Sequence, residues 1–174
     1  MFIPSNVYEF AGYHVAQTLE TLAAGGVFKP QIAFFGASDE SLAEFSQKLN
    51  GLSELEVASF FSSLQSPADA QYGLLVAPVG NPMPNTGHIM IDMYDYGDRK
   101  SVTAAIDYRP KGFMKPFTFN DPQIVPSAGG STRIDPMMEV FEIVQGLKAF
   151  PRFDSLAKNN YKSRPAVIHP NFAR

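Results

Sequence analysis

Residues 34–41 read FFGASDES: an apolar run closes on a glycine, and a serine with two acids opens a predicted helix. Strand, tight turn and helix N-terminus is an arrangement that can hold a phosphate or present a nucleophile. The details here fit neither chemistry. A dinucleotide fingerprint needs G-x-G-x-x-G, and a P-loop needs a second glycine before Lys-Ser or Lys-Thr, but Gly36 stands alone. In a nucleophile elbow, G-x-S-x-G, the position of Glu40 must be small. Asp39 and Glu40 also occupy the positive end of the helix, where a phosphate would meet like charge. The stretch is therefore read as a cap, with Ser38 accepting from the first helical amides.

HIMIDMYDYGDRK (88–100) is the second candidate. His88 and Asp92 lie four apart on a predicted strand and so share a face, with Asp95 and Asp98 close behind. The D-x-D-x-D-G spacing of a calcium loop is absent, and DYGD is ordinary turn chemistry. No metal ligand set is assigned and no cofactor is expected. His14 and His169 lie in the first helix and the C-terminal stretch, and nothing in the spacing brings either to a nucleophile.

In VPSAGGSTRIDP (125–136), Gly129, Gly130, Ser131 and Arg133 could offer backbone amides and a cation to an anion ahead of a helix that Asp135 caps. A contact-making loop is the preferred reading. These four residues are the alternative ligand site should the chain act on a nucleotide or phosphorylated metabolite. The fourth candidate is the basic end, where Arg152, Lys158, Lys162 and Arg164 interleave with Phe153 and Tyr161. Basic and aromatic residues in alternation suit a nucleic-acid strand. A chain of pI near 5.6 does not, so nucleic acid is expected at most through this tail.

The charge is lopsided. Residues 1–98 hold two basic residues against eleven acids, a net −9; residues 99–174 hold twelve against six, a net +6. The two halves could neutralise each other within the fold, or one subunit's basic end could dock on the next subunit's acidic body, complementary potentials setting partner and register. Only 18% of the 174 residues are charged while 15 are Phe and 7 Tyr, a balance that leaves aromatic area for a neighbour to cover. Absence of cysteine excludes disulfides, thiolate nucleophiles and Cys-ligated metals. No signal peptide or membrane-spanning run is seen, so synthesis in the cytoplasm is expected, while the final localisation, a particle among the options, stays open.

The elements that must position these residues follow from periodicity. Val15, Leu19, Leu22 and Ala23 make one stripe of a helix from about Val7 to Ala24, stopped by Gly25-Gly26. Ile32–Phe35 reads as an inner strand, Leu42, Phe45 and Leu49 as a helix face, and 55–61 as a strand. YGLLVAPVG (72–80) reads as another inner strand, and 88–94 with 102–107 as a hairpin. A last helix follows Asp135-Pro136, with Met137, Val140, Phe141, Val144 and Leu147 as its buried stripe. The first strand–helix–strand unit is expected to be a right-handed parallel crossover.

The expected fold is α+β: a mixed sheet with one β-α-β crossover, an antiparallel hairpin, about three helices and an extended C-terminal arm. Residues 1–150 form the single domain and 151–174 the basic arm. The functional expectation is a structural or assembly subunit, such as a virus or phage particle component, rather than an enzyme. Its partners are copies of itself or other subunits, with no membrane. The arm residues expected at the subunit interface are Arg152, Tyr161, Lys162, Arg164, Pro165, His169 and Phe172.

Overall fold

The structure, a computed structural model, describes residues 2–62, 65–79, 86–112, 114–125 and 137–162. Helix α1 (Val7–Ala23) starts because Asn6 is extended and its side chain accepts from the amides of Tyr8 and Glu9 at 3.0 and 2.9 Å. Two of the amides that a helix start leaves unpaired are thereby satisfied. The helix stops where Gly25 takes φ +83°, its amide closing on the Leu22 carbonyl. Helix α2 (Asp39–Leu49) follows strand β1 (Gln31–Phe35) as its pattern predicts, and buries Phe45.

The next segment is a correction. Residues 54–62 form helix α3 (Glu54–Ser62), where alternation suggested a strand. Ser53 Oγ accepts from the Glu56 amide at 3.4 Å, and Glu56 Oε2 accepts from the Ser53 amide at 2.7 Å. This reciprocal capping box commits the start to helix.

Strands β2 (Tyr72–Val79), β3 (Gly87–Asp95) and β4 (Lys100–Arg109) continue the sheet from β1 as an antiparallel meander. The free side of β4 is shared. Strand β5 (Thr118–Asn120) pairs with Tyr108–Arg109, and β6 (Gln123–Val125) with Thr103–Ala105. After α4 (Met137–Ala149) and α5 (Phe153–Asn160), strand β7 (Tyr161–Lys162) pairs parallel to β5. The fold is α+β with a mixed sheet, as expected, with five helices among the described residues rather than about three. The parallel pair lies at β5–β7. The first strand–helix–strand unit is antiparallel, and among the described residues β1 stands at the end of the strand order rather than inside it.

The pleat divides the core in two. Leu74, Val76, Ile89, Ile91, Met93, Ala104 and Ile106 face a layer that includes α1, α4 and α5. Ile32, Phe34, Leu75 and Tyr94 face the opposite way, packed with Phe45 of α2 and with Val57 and Phe60 of α3. Helices α1 and α4 cross at two glycines, close enough that a Cβ on Gly12 would stand 2.0 Å from the Ile143 carbonyl oxygen. That crossing turns Ile143, Gly146 and Leu147 inward. Met137 and Phe141, expected in the buried stripe, are 73% and 57% exposed.

His14, on α1, packs edge-to-face on Phe10 with ring centroids 4.6 Å apart. Burial holds its imidazole below the usual histidine range. The folded state therefore binds fewer protons than the unfolded one. Stability is present above the unfolded value of about 6.5 and is lost as pH falls through the lowered folded value. Denaturant midpoints should fall between roughly pH 7 and pH 5, and His14→Phe should flatten that slope. An unchanged slope in the variant would assign the pH dependence to other groups.

Candidate functional site

At the FFGASDES turn, Gly36 takes φ +87°, a conformation open to glycine at little cost. Ser38 Oγ accepts from the Ser41 amide at 3.3 Å, the predicted cap. The Ser38 amide donates to Asp69 Oδ2 at 3.0 Å. Hydrogen bonds from Ser41 and Ser38 hold the Asp69 carboxyl below the ordinary range. This helix start is already supplied with Asp39, Glu40 and Asp69, so it disfavours an anionic ligand.

The sheet face that carries α2 and α3 also carries a row of polar side chains. His88 and Asp107 are direct partners across β3 and β4, with Nδ1 and Oδ1 2.7 Å apart. They are 2% and 8% exposed. Four residues along β3, about 13 Å away at strand rise, Asp92 accepts from the Thr103 hydroxyl at 2.6 Å. Burial pushes the Asp92 carboxyl up, and the Thr103 hydrogen bond partly opposes that. Gln123 of β6 is buried opposite Ala105, on the same face. His88 and Asp92 share a face as predicted, but the histidine's carboxylate partner is Asp107. An aspartate on Nδ1 orients an imidazole as a general base requires. The Thr103 hydroxyl on this row is committed to Asp92, so the row presents a buried cross-strand pin rather than a nucleophile and its base. Among the described residues, no group of three or more His, Cys, Asp or Glu is placed to hold a metal ion. Asp98, from the predicted turn, sits instead 3.0 Å from Lys100 Nζ.

The C-terminal candidates divide. Arg152 pairs with Glu20 of its own α1 at 2.8 Å while 68% exposed. The Tyr161 hydroxyl donates to Asp121 Oδ1, and its ring packs against Phe119 and Phe153. Lys162 is exposed at the end of β7. Phe153 and Leu156 are buried, and residues 153–162 form α5 and β7. Arg164, Pro165, His169 and Phe172 lie outside the described residues, as do Gly129, Gly130, Ser131 and Arg133.

Composition concealed one surface. Strand β1 ends the strand order and, among the described residues, pairs with β2 alone. Ile32 and Phe34 point to one face, and Ala33 and Phe35 to the other, all partly exposed. Edge strands are normally blunted by internal charge, proline or a bulge. Lys29 and Pro30 stand before this strand, not within it. The helices beside it are acidic: residues 36–72 hold Asp39, Glu40, Glu44, Glu54, Glu56 and Asp69 against Lys48.

No protein-family model, curated protein or solved structure matches the chain. Among the described residues, no helix is long and apolar enough to cross a membrane.

Proposed function

We propose that the chain is an assembly subunit that joins copies of itself through the β1 edge. One observation carries this reading: a strand at the end of the strand order of the described residues, apolar on both faces, with no charge or proline in it. A strand at the end of a sheet, with half-buried apolar side chains on both faces, is a template on which a further strand adds. The acidic flank on α2 and α3 and the basic C-terminal stretch supply potentials that select orientation. At the Gly36 turn the ligand reading is disfavoured by the carboxylates already there, while its other loop, residues 129–133, lies outside the described residues.

Sedimentation of the full chain, from dilute to concentrated, tests the proposal. The expected result is a mass that rises with concentration and falls with added salt, as screening weakens the charged contacts. Arg164→Glu should lower the mass at fixed concentration. A monomer throughout, in low and high salt alike, would overturn the reading.

A further inference from the structure

We propose that Asn50 is a site of spontaneous deamidation, converted by water, through a succinimide, to isoaspartate and aspartate. The inference is independent of the assembly reading and concerns the turn that joins α2 to α3.

The chemistry needs an asparagine side chain followed by a main-chain nitrogen that nothing shields. Asn50-Gly51 is the one place in the chain where glycine follows an asparagine or an aspartate. Any other residue would screen that nitrogen with its Cβ, and glycine has none.

The fold leaves the pair open. Asn50 takes φ −61° and ψ 124°, Gly51 takes φ +87°, and the Leu52 amide donates to the Leu49 carbonyl at 3.1 Å. These values describe a type II turn with Asn50 and Gly51 at its corners. Both residues are exposed. The Asn50 main-chain amide closes α2 on the carbonyls of Ser46 and Gln47. Among the described residues, no hydrogen bond holds the Asn50 side chain or the Gly51 amide. Around Gly51 there is open space, with nothing within 4 Å of where a Cβ would stand. Asn6 and Asn160 are the contrast. The first accepts from the amides of Tyr8 and Glu9, and the second donates to the Leu156 carbonyl at 2.7 Å.

Ring closure asks one movement of this turn. The Gly51 nitrogen must come to the side of Cγ, which needs a negative ψ at Asn50 in place of 124°. What opposes the swing is the single turn hydrogen bond, in solvent. The Gly51 nitrogen then attacks Asn50 Cγ. The N–Cγ bond forms, the Cγ–Nδ2 bond breaks, and ammonia leaves with the proton of the Gly51 amide. Water next opens the ring at one of its two carbonyls, and nothing is oxidised or reduced. Opening at Cγ gives aspartate, while opening at the main-chain carbonyl leaves the backbone running through Cγ as isoaspartate. Either product places a carboxylate at the C-terminal end of α2, where the helix dipole disfavours it. Isoaspartate also lengthens the link between α2 and α3, whose Phe45, Val57 and Phe60 share one cluster.

The test incubates the full folded chain in mildly alkaline and mildly acidic buffer, beside the same chain held unfolded in urea. Isoelectric focusing should show a more acidic species that grows faster in alkali, where base removes the Gly51 amide proton. Peptide mapping should place isoaspartate at Asn50. The folded rate should lie within ~10-fold of the unfolded one, because an exposed turn opens at little cost. Asn50→Gln, whose longer side chain closes a larger and slower ring, should remove the species. Asn50→Asp should focus with it from the start. An acidic species that persists undiminished in Asn50→Gln would overturn the inference. So would a folded chain that stays unmodified while the unfolded chain converts.

Discussion

Replacing Asp107 with alanine is expected to destabilise the fold by about 3 kcal/mol or more, the cost of stripping one member from a buried, hydrogen-bonded pair. The reason is the burial on both sides. His88 is 2% exposed, so its Nδ1 would lose, inside the protein, a partner 2.7 Å away. Asp107→Asn retains a hydrogen-bonding group of similar size and should cost less than the alanine variant. A cycle with His88→Leu separates the pair itself from the cost of each lone group, because the double variant leaves neither behind. The contrast is Arg152 with Glu20, also close at 2.8 Å but exposed to solvent. Arg152→Ala should cost no more than about 1 kcal/mol, as solvated pairs do. Denaturant unfolding of these five variants decides the matter. A loss for Asp107→Ala as small as that for Arg152→Ala would mean that water reaches the pair.

That pair was legible in the sequence by one step beyond the hairpin assignment. The β3–β4 turn closes with Asp95 opposite Lys100. Counting outward from that closure sets Asp92 against Thr103 and then His88 against Asp107, the two polar bonds observed. Alternation alone names the face of His88 but not the residue across from it, because register is carried by the turn. Helix α3 was legible in the same way. Ser53 and Glu56 stand at capping-box spacing, and Val57 and Phe60, three apart, share the α2 cluster. A short apolar run such as 55–61 satisfies strand and helix templates alike, so its cap had to decide.

The place of β1 could not be read. Apolar side chains on both faces show that both faces are covered, and here helices cover them. They do not show whether a strand lies on each side. Strand order depends on the path from β1 to β2, which carries α2 and α3 and returns the chain antiparallel. The end position of β1 among the described strands, on which the proposed function rests, is thus a property of topology and not of composition.

Gly146→Ala carries the second large effect, with a sign opposite to helix propensity. In an isolated helix the change gains up to about 1 kcal/mol. Here the added Cβ would stand 2.1 Å from the Glu9 carbonyl oxygen and 2.8 Å from its carbon. Both are backbone atoms of α1, so no side chain can swing aside. The helices must separate, and Ile143 and Leu147, both fully buried at this crossing, lose contact with them. The expected net loss is about 1–3 kcal/mol, the usual cost of overpacking. Gly12→Ala meets the same obstacle from the other helix, at 2.0 Å from the Ile143 carbonyl oxygen. The two substitutions should therefore be less than additive, since one separation relieves both clashes. Unfolding free energies of the single and double variants measure this directly. A stabilised Gly146→Ala protein would mean that α1 and α4 are not held in close contact, and the outward turn of Met137 and Phe141 would then need another cause.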